Sequence, residues 1–151
     1  MKTVDQLCEE VLKEELMMAI TKYTMQAAST CMRYTEDPEE ASMMLGVLTW
    51  AAIIADGRLS EEEFRLLYPG LKIAKGNDAT IEECRALAMQ LFDEGENYQA
   101  IATYFAEEYL SQWKADEKEN VIKCCIAICA IDGNISVKEK QWLRDLLKAA
   151  K

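Results

Sequence analysis

Ala51-Ala52-Ile53-Ile54-Ala55-Asp56-Gly57-Arg58-Leu59-Ser60-Glu61-Glu62-Glu63-Phe64 reads as the end of one apolar helix, a sharp stop and the start of a second helix. Gly57 supplies the left-handed backbone that commonly ends a helix. Ser60 and Glu63 have the spacing of a capping box, in which the Ser hydroxyl and the Glu carboxylate satisfy early backbone N–H groups reciprocally. The same grammar returns in Ala127-Ile128-Cys129-Ala130-Ile131-Asp132-Gly133-Asn134-Ile135-Ser136-Val137-Lys138-Glu139-Lys140. Adding 76 carries Asp56 onto Asp132, Gly57 onto Gly133, Ser60 onto Ser136, Glu63 onto Glu139 and Leu67 onto Leu143. Two such copies, spanning 38–68 and 117–147, are too few for a solenoid and predict pseudo-symmetric halves of one domain over residues 1–151.

Working outward, the rest of the chain also reads as helix. Thr3 with Gln6 forms a capping box, and the apolar stripe that follows predicts a long first helix to about Gln26, which the patch Ala28 to Arg33 continues. Asp37-Pro38-Glu39-Glu40 is a helix start: N-cap Asp, Pro in the first turn, acids at the positive dipole end. That helix runs to Ala55 and is apolar almost all round, which makes it a buried centre. Tyr68-Pro69-Gly70 predicts a break. Thr80 with Glu83 opens a helix to about Phe92, Asp93 to Asn97 form a connector, and a helix runs from about Tyr98 to Trp113 or Lys114. Asp116 with Glu119 caps the next, apolar helix, and Ser136 starts the last. No period-2 alternation marks a strand, so the fold class is all-α.

Composition narrows the function. The net charge of -10 argues against sequence-independent nucleic-acid binding and against docking on an anionic membrane. It suits cation binding or a basic partner. No apolar run reaches the length of a membrane span, and the N-terminal Met1-Lys2-Thr3-Val4-Asp5 turns acidic at once, unlike a signal peptide. The six cysteines, irregularly spaced in apolar stretches, read as reduced thiols of a cytoplasmic protein. Cys125 and Cys129 share a helical face and read first as small buried hydrophobes. With no His, Ser-His and Cys-His catalysis and His-ligated zinc are excluded. No nucleophile or cofactor motif is readable, so the chain is expected not to be an enzyme and to hold no organic cofactor.

Two readings of the repeated turn stand side by side. Gly, Ser and Glu are explained by helix ending and capping alone. Asp56 and Asp132 are not, because a carboxylate in the last turn faces the negative end of the helix dipole. Aligned with the calcium loop of an EF-hand, Asp132 falls at position 5, Gly133 at 6, Asn134 at 7, Ser136 at 9 and Glu139 at 12. Positions 1 and 3 are apolar, so each turn is half of such a loop. A shared site of four carboxylates, Asp56, Glu63, Asp132 and Glu139, would complete it. Lys138, Lys140 and Arg58 put positive charge beside those positions.

These paired motifs, from Pro38 to Leu147, resemble the TerB family of tellurite-resistance proteins. The resemblance implies an all-helical fold of about seven helices in two pseudo-symmetric halves. It implies divalent metal (Ca²⁺, Mg²⁺ or Mn²⁺) at Asp56, Glu63, Asp132 and Glu139, and a non-catalytic role in a bacterial metal or chemical stress response beside a membrane-associated protein partner. The other reading is a protein-protein interaction module whose acidic motif is only a helix cap.

Overall fold

The computed structural model describes residues 1–55 and 59–151, without side-chain detail at positions 70, 73, 74, 95, 96 and 132. Eight α-helices and no strand occur among the described residues. They are α1 (Val4–Leu12), α2 (Leu16–Thr35), α3 (Pro38–Ile54), α4 (Glu61–Lys75), α5 (Ile81–Asp93), α6 (Gly95–Glu108), α7 (Ala115–Cys129) and α8 (Val137–Ala149), with 3₁₀ turns at Leu110–Gln112 and Ala130–Asp132. The all-α class therefore holds, with eight helices in place of about seven.

The local reasons are mostly caps. The Thr3 and Gln6 box is formed in both directions, at 3.0 and 3.2 Å. The Asp37 carboxylate accepts from the Glu39 N–H at 3.0 Å, with Pro38 opening α3. Thr80 and Glu83 cap α5.

Several expected boundaries are corrected. The long first helix is two: the chain breaks after Leu12, and the Glu15 carboxylate caps α2 by accepting from the N–H groups of Met17 and Met18 at 3.2 and 2.9 Å. Pro69 does not break α4, which runs through it to Lys75; the ring's φ fits a helix, and the cost is the lost donor to the Arg65 carbonyl and the crowding of that carbonyl by the ring. The connector Asp93–Asn97 shrinks to a tight turn at Glu94, after which α6 begins at once. α6 stops at Glu108 and a 3₁₀ turn leads to Trp113. α7 is capped by Glu117, whose carboxylate accepts from the Lys114 N–H at 3.1 Å, and not by Asp116 with Glu119.

The offset of 76 now relates whole halves. It brings α1 onto α5, α2 onto α6, α3 onto α7 and α4 onto α8 to within a few residues. The halves interlock: α2 packs on α7, α6 packs on α3, and α3 crosses α7. The central helices are the ones whose C-terminal halves are apolar all round, as burial requires. In α7 every residue from Cys124 to Cys129 is buried, and in α3 so are Trp50 to Ile54. Removing Ile122 and Ile126 from water contributes about 2 kcal/mol each. The six cysteines are all buried free thiols.

Candidate functional site

Both capping boxes of the repeat form. Ser60 N–H donates to Glu63 Oε1 at 3.0 Å, and Glu63 N–H donates to Ser60 Oγ at 3.1 Å. The second copy matches, with Ser136 N–H to Glu139 Oε1 at 2.8 Å and Glu139 N–H to Ser136 Oγ at 3.1 Å. Gly133 has φ 94°, the left-handed ending its sequence position predicts, and its N–H reaches the Ala130 carbonyl at 2.9 Å. Capping boxes usually sit at the surface, yet Glu63 is 2% exposed and Glu139 3% exposed.

The charges of both buried glutamates act on Cys129 of α7. Its thiol lies 3.5 Å from the Ala52 carbonyl of α3. Burial is the first cause that pushes this thiol well above its usual range; the negative charge of Glu139 follows, then Cys125, a hydrogen bond with the Glu139 side chain, and the charge of Glu63. The first half's α4 also packs against the 3₁₀ turn Ala130–Asp132 of the second half. Carboxylates from separate halves therefore bear on one buried sulfur.

Cys129 is the site residue that sequence reasoning passed over. At the repeat offset it matches Ile53, an ordinary core position, and nothing local marks it as different. The shared face with Cys125 was legible. Cys125 Sγ stands 4.0 Å from the Leu48 carbonyl, one helical turn before the contact of Cys129 with Ala52.

Of the four positions expected to ligate a metal, Glu63 and Glu139 are both buried, and the charges of both act on Cys129. Asp132 ends the 3₁₀ turn Ala130–Asp132, and its side chain lies outside the description; Asp56 lies outside the described residues altogether. Among the described residues no group of three or more His, Cys, Asp or Glu is arranged to hold a metal ion. A cation here would thus need the carboxylate of Asp56 or Asp132 beside those of Glu63 and Glu139. The flanking lysines do not crowd the second glutamate as their sequence neighbourhood implied. Lys138 is exposed where Glu139 is buried, and the charge of Lys140 acts on Cys8, on the α1 side.

The family model described as tellurite resistance protein TerB matches residues 42–150, which takes in both turns, the whole of α7 and α3 from Ser42 onward. No curated protein and no solved structure matches the chain.

Proposed function

The chain belongs to the TerB family, and from that premise we propose that it is a non-catalytic stress-response domain of the tellurite-resistance type whose paired turns hold a divalent cation. The observation that supports the reading is the burial of two capping glutamates, Glu63 and Glu139 from separate halves, whose charges both act on the Cys129 thiol. Like charges gathered in a buried place repel one another, and a divalent cation relieves that repulsion. Asp56 and Asp132, placed by the repeat beside these glutamates in sequence, would complete an all-oxygen set suited to Ca²⁺, Mg²⁺ or Mn²⁺. In this reading the domain works in the cytoplasm beside a membrane-associated protein partner. No described helix is long and apolar enough to cross a membrane.

Thermal unfolding in EDTA and in millimolar Ca²⁺, Mg²⁺ or Mn²⁺ tests the cation. Binding to the folded state alone adds about 2.7 kcal/mol at a hundredfold excess over Kd, so the melting temperature of the wild type rises. Glu139→Gln keeps an oxygen for the cap and removes the charge, and it should lose most of that rise. A wild-type protein indifferent to all three ions would sink the proposal.

The completeness of both capping boxes favours a second reading, in which the turns only join helices and the domain acts through its surface. An identical cation response in wild type and Glu139→Gln would support it.

A further inference from the structure

The fold sorts its sulfur into two environments. All six cysteines are buried free thiols. Of the eight methionines, Met44 alone lies inside, at 1% exposure. Met17, Met18, Met25, Met32, Met43 and Met89 stand at the surface, between 42% and 71% exposed.

Apolar character does not account for that placement. Leu12 is the one exposed leucine among the described residues. Leucine and methionine are close in volume and in helix propensity, so either would serve these helices alike. What methionine adds at an exposed position is a polarisable sulfur that two-electron oxidants can reach.

The thiols are shielded from the same oxidants. Cys31 Sγ lies 3.8 Å from Met44 Sδ, and Cys124 Sγ lies 3.4 Å from Thr24 Oγ1. Cys125 and Cys129 face the Leu48 and Ala52 carbonyls. Burial pushes the thiols of Cys8, Cys124, Cys125 and Cys129 up, and that of Cys31 to about 11. A thiol reacts chiefly as its thiolate, so a buried, protonated one is inert. A thioether needs no deprotonation, and access decides its rate.

Oxidation at these positions spares the core. A sulfoxide is polar and disrupts a packed interior, but at the surface its oxygen meets water. The buried face of α2 is Ala19, Ile20, Tyr23, Ala27, Thr30 and Cys31, and none of its four methionines belongs to it. Met44 is the internal contrast. Oxygen added there would enter the core beside Cys31.

We propose that the exposed methionines of α2, α3 and α5 form a reversible trap for hypochlorous acid and kindred two-electron oxidants. In each event a thioether and hypochlorous acid give a sulfoxide, a proton and chloride. The sulfur loses two electrons and the chlorine gains them. A thiol-dependent sulfoxide reductase reverses the step: two thiols become a disulfide and the sulfoxide oxygen leaves as water. The trap rests on the stress-response reading and needs no cation.

Stepwise addition of hypochlorous acid to the full chain in EDTA, read site by site by peptide mass spectrometry, tests the trap. Met17, Met18, Met25, Met32, Met43 and Met89 should each gain one oxygen before Met44 or any cysteine does. The melting temperature of that product should match the untreated chain. Sulfoxide reductases of both stereospecificities, with dithiothreitol, should return it to its starting mass. A chain carrying Met17→Leu, Met18→Leu, Met25→Leu, Met32→Leu and Met43→Leu together should consume about five fewer equivalents before a hypochlorite-sensitive dye in the same solution bleaches. Cysteine oxidised ahead of methionine, a lower melting temperature after methionine oxidation, or sulfoxides that the reductases leave in place would overturn the proposal. So would equal protection of the dye by wild type and the leucine variant. Because EDTA is present throughout, a failed cation titration and a failed oxidation series are separate results.

Discussion

Gly133 carries the second turn on one backbone angle. Its φ of 94° is a conformation that a side chain disfavours, although an added Cβ would meet nothing within 4 Å. Gly133→Ala therefore costs conformational energy without a clash, about 1–2 kcal/mol. Urea unfolding measures it, and unchanged stability would mean that the turn relaxes to an ordinary angle. Residues of this kind were legible in the sequence because their reasons are local: a glycine for an angle, Ser136 for a donor, Glu139 for the reciprocal bond. Cys129 was not, because what distinguishes it comes from α3, α4 and α8 arriving around it. Legible, too, was that Glu63 and Glu139 are equivalent; that both are buried was not, since capping boxes say nothing of depth.

At the scale of elements, α3 and α4 each carry a residue that a helix tolerates poorly. Gly46 sits in the middle of α3 with its surface open, and a Cβ there would meet nothing within 4 Å. Gly46→Ala should stabilise the fold by about 0.5–1 kcal/mol through lost freedom of the unfolded chain, read as a higher urea midpoint at constant slope. A lower midpoint would show that α3 needs the glycine for some other contact. Pro69 illustrates the opposite outcome, a helix kept despite its sequence: Phe64 and Leu71 bury on either side of it and hold α4 together. Helix starts were legible where Thr, Ser or Asp caps them. They were misread where Glu15 does so, or where α6 starts at Gly95 with no side-chain cap at all.

Over the whole molecule, α1 is tied to α7 by charge. Lys123 reaches the Glu10 carboxylate at 2.6 Å, and Lys2 also binds it. Together they hold that carboxyl at about 2, below its usual 4.5. A depressed carboxylate stabilises the fold fully above its unfolded value and loses that contribution as pH falls through its folded value. The expected profile is a loss of stability between about pH 4.5 and 2. Glu10→Gln should be less stable at neutral pH and should fall less steeply over that window in pH-dependent thermal melts; parallel profiles would show that the pairing contributes nothing. All-helical character and the duplicated turn were legible at this scale. The extension of the repeat to all four helices of each half was not, since α1 and α5, or α2 and α6, share placement with little shared sequence.

The interlock of α2 on α7 and α6 on α3 has a consequence in mass action. Each half leaves much of its most apolar helix to be covered by a helix of the other, α3 by α6 and α7 by α2, so a half-chain alone would expose that surface unless it found a second copy, and such a pair would come apart on dilution. Joining the halves through the short link from α4 to α5 makes that encounter intramolecular, at an effective concentration fixed by the link. The chain is in this sense a dimer that no dilution can separate.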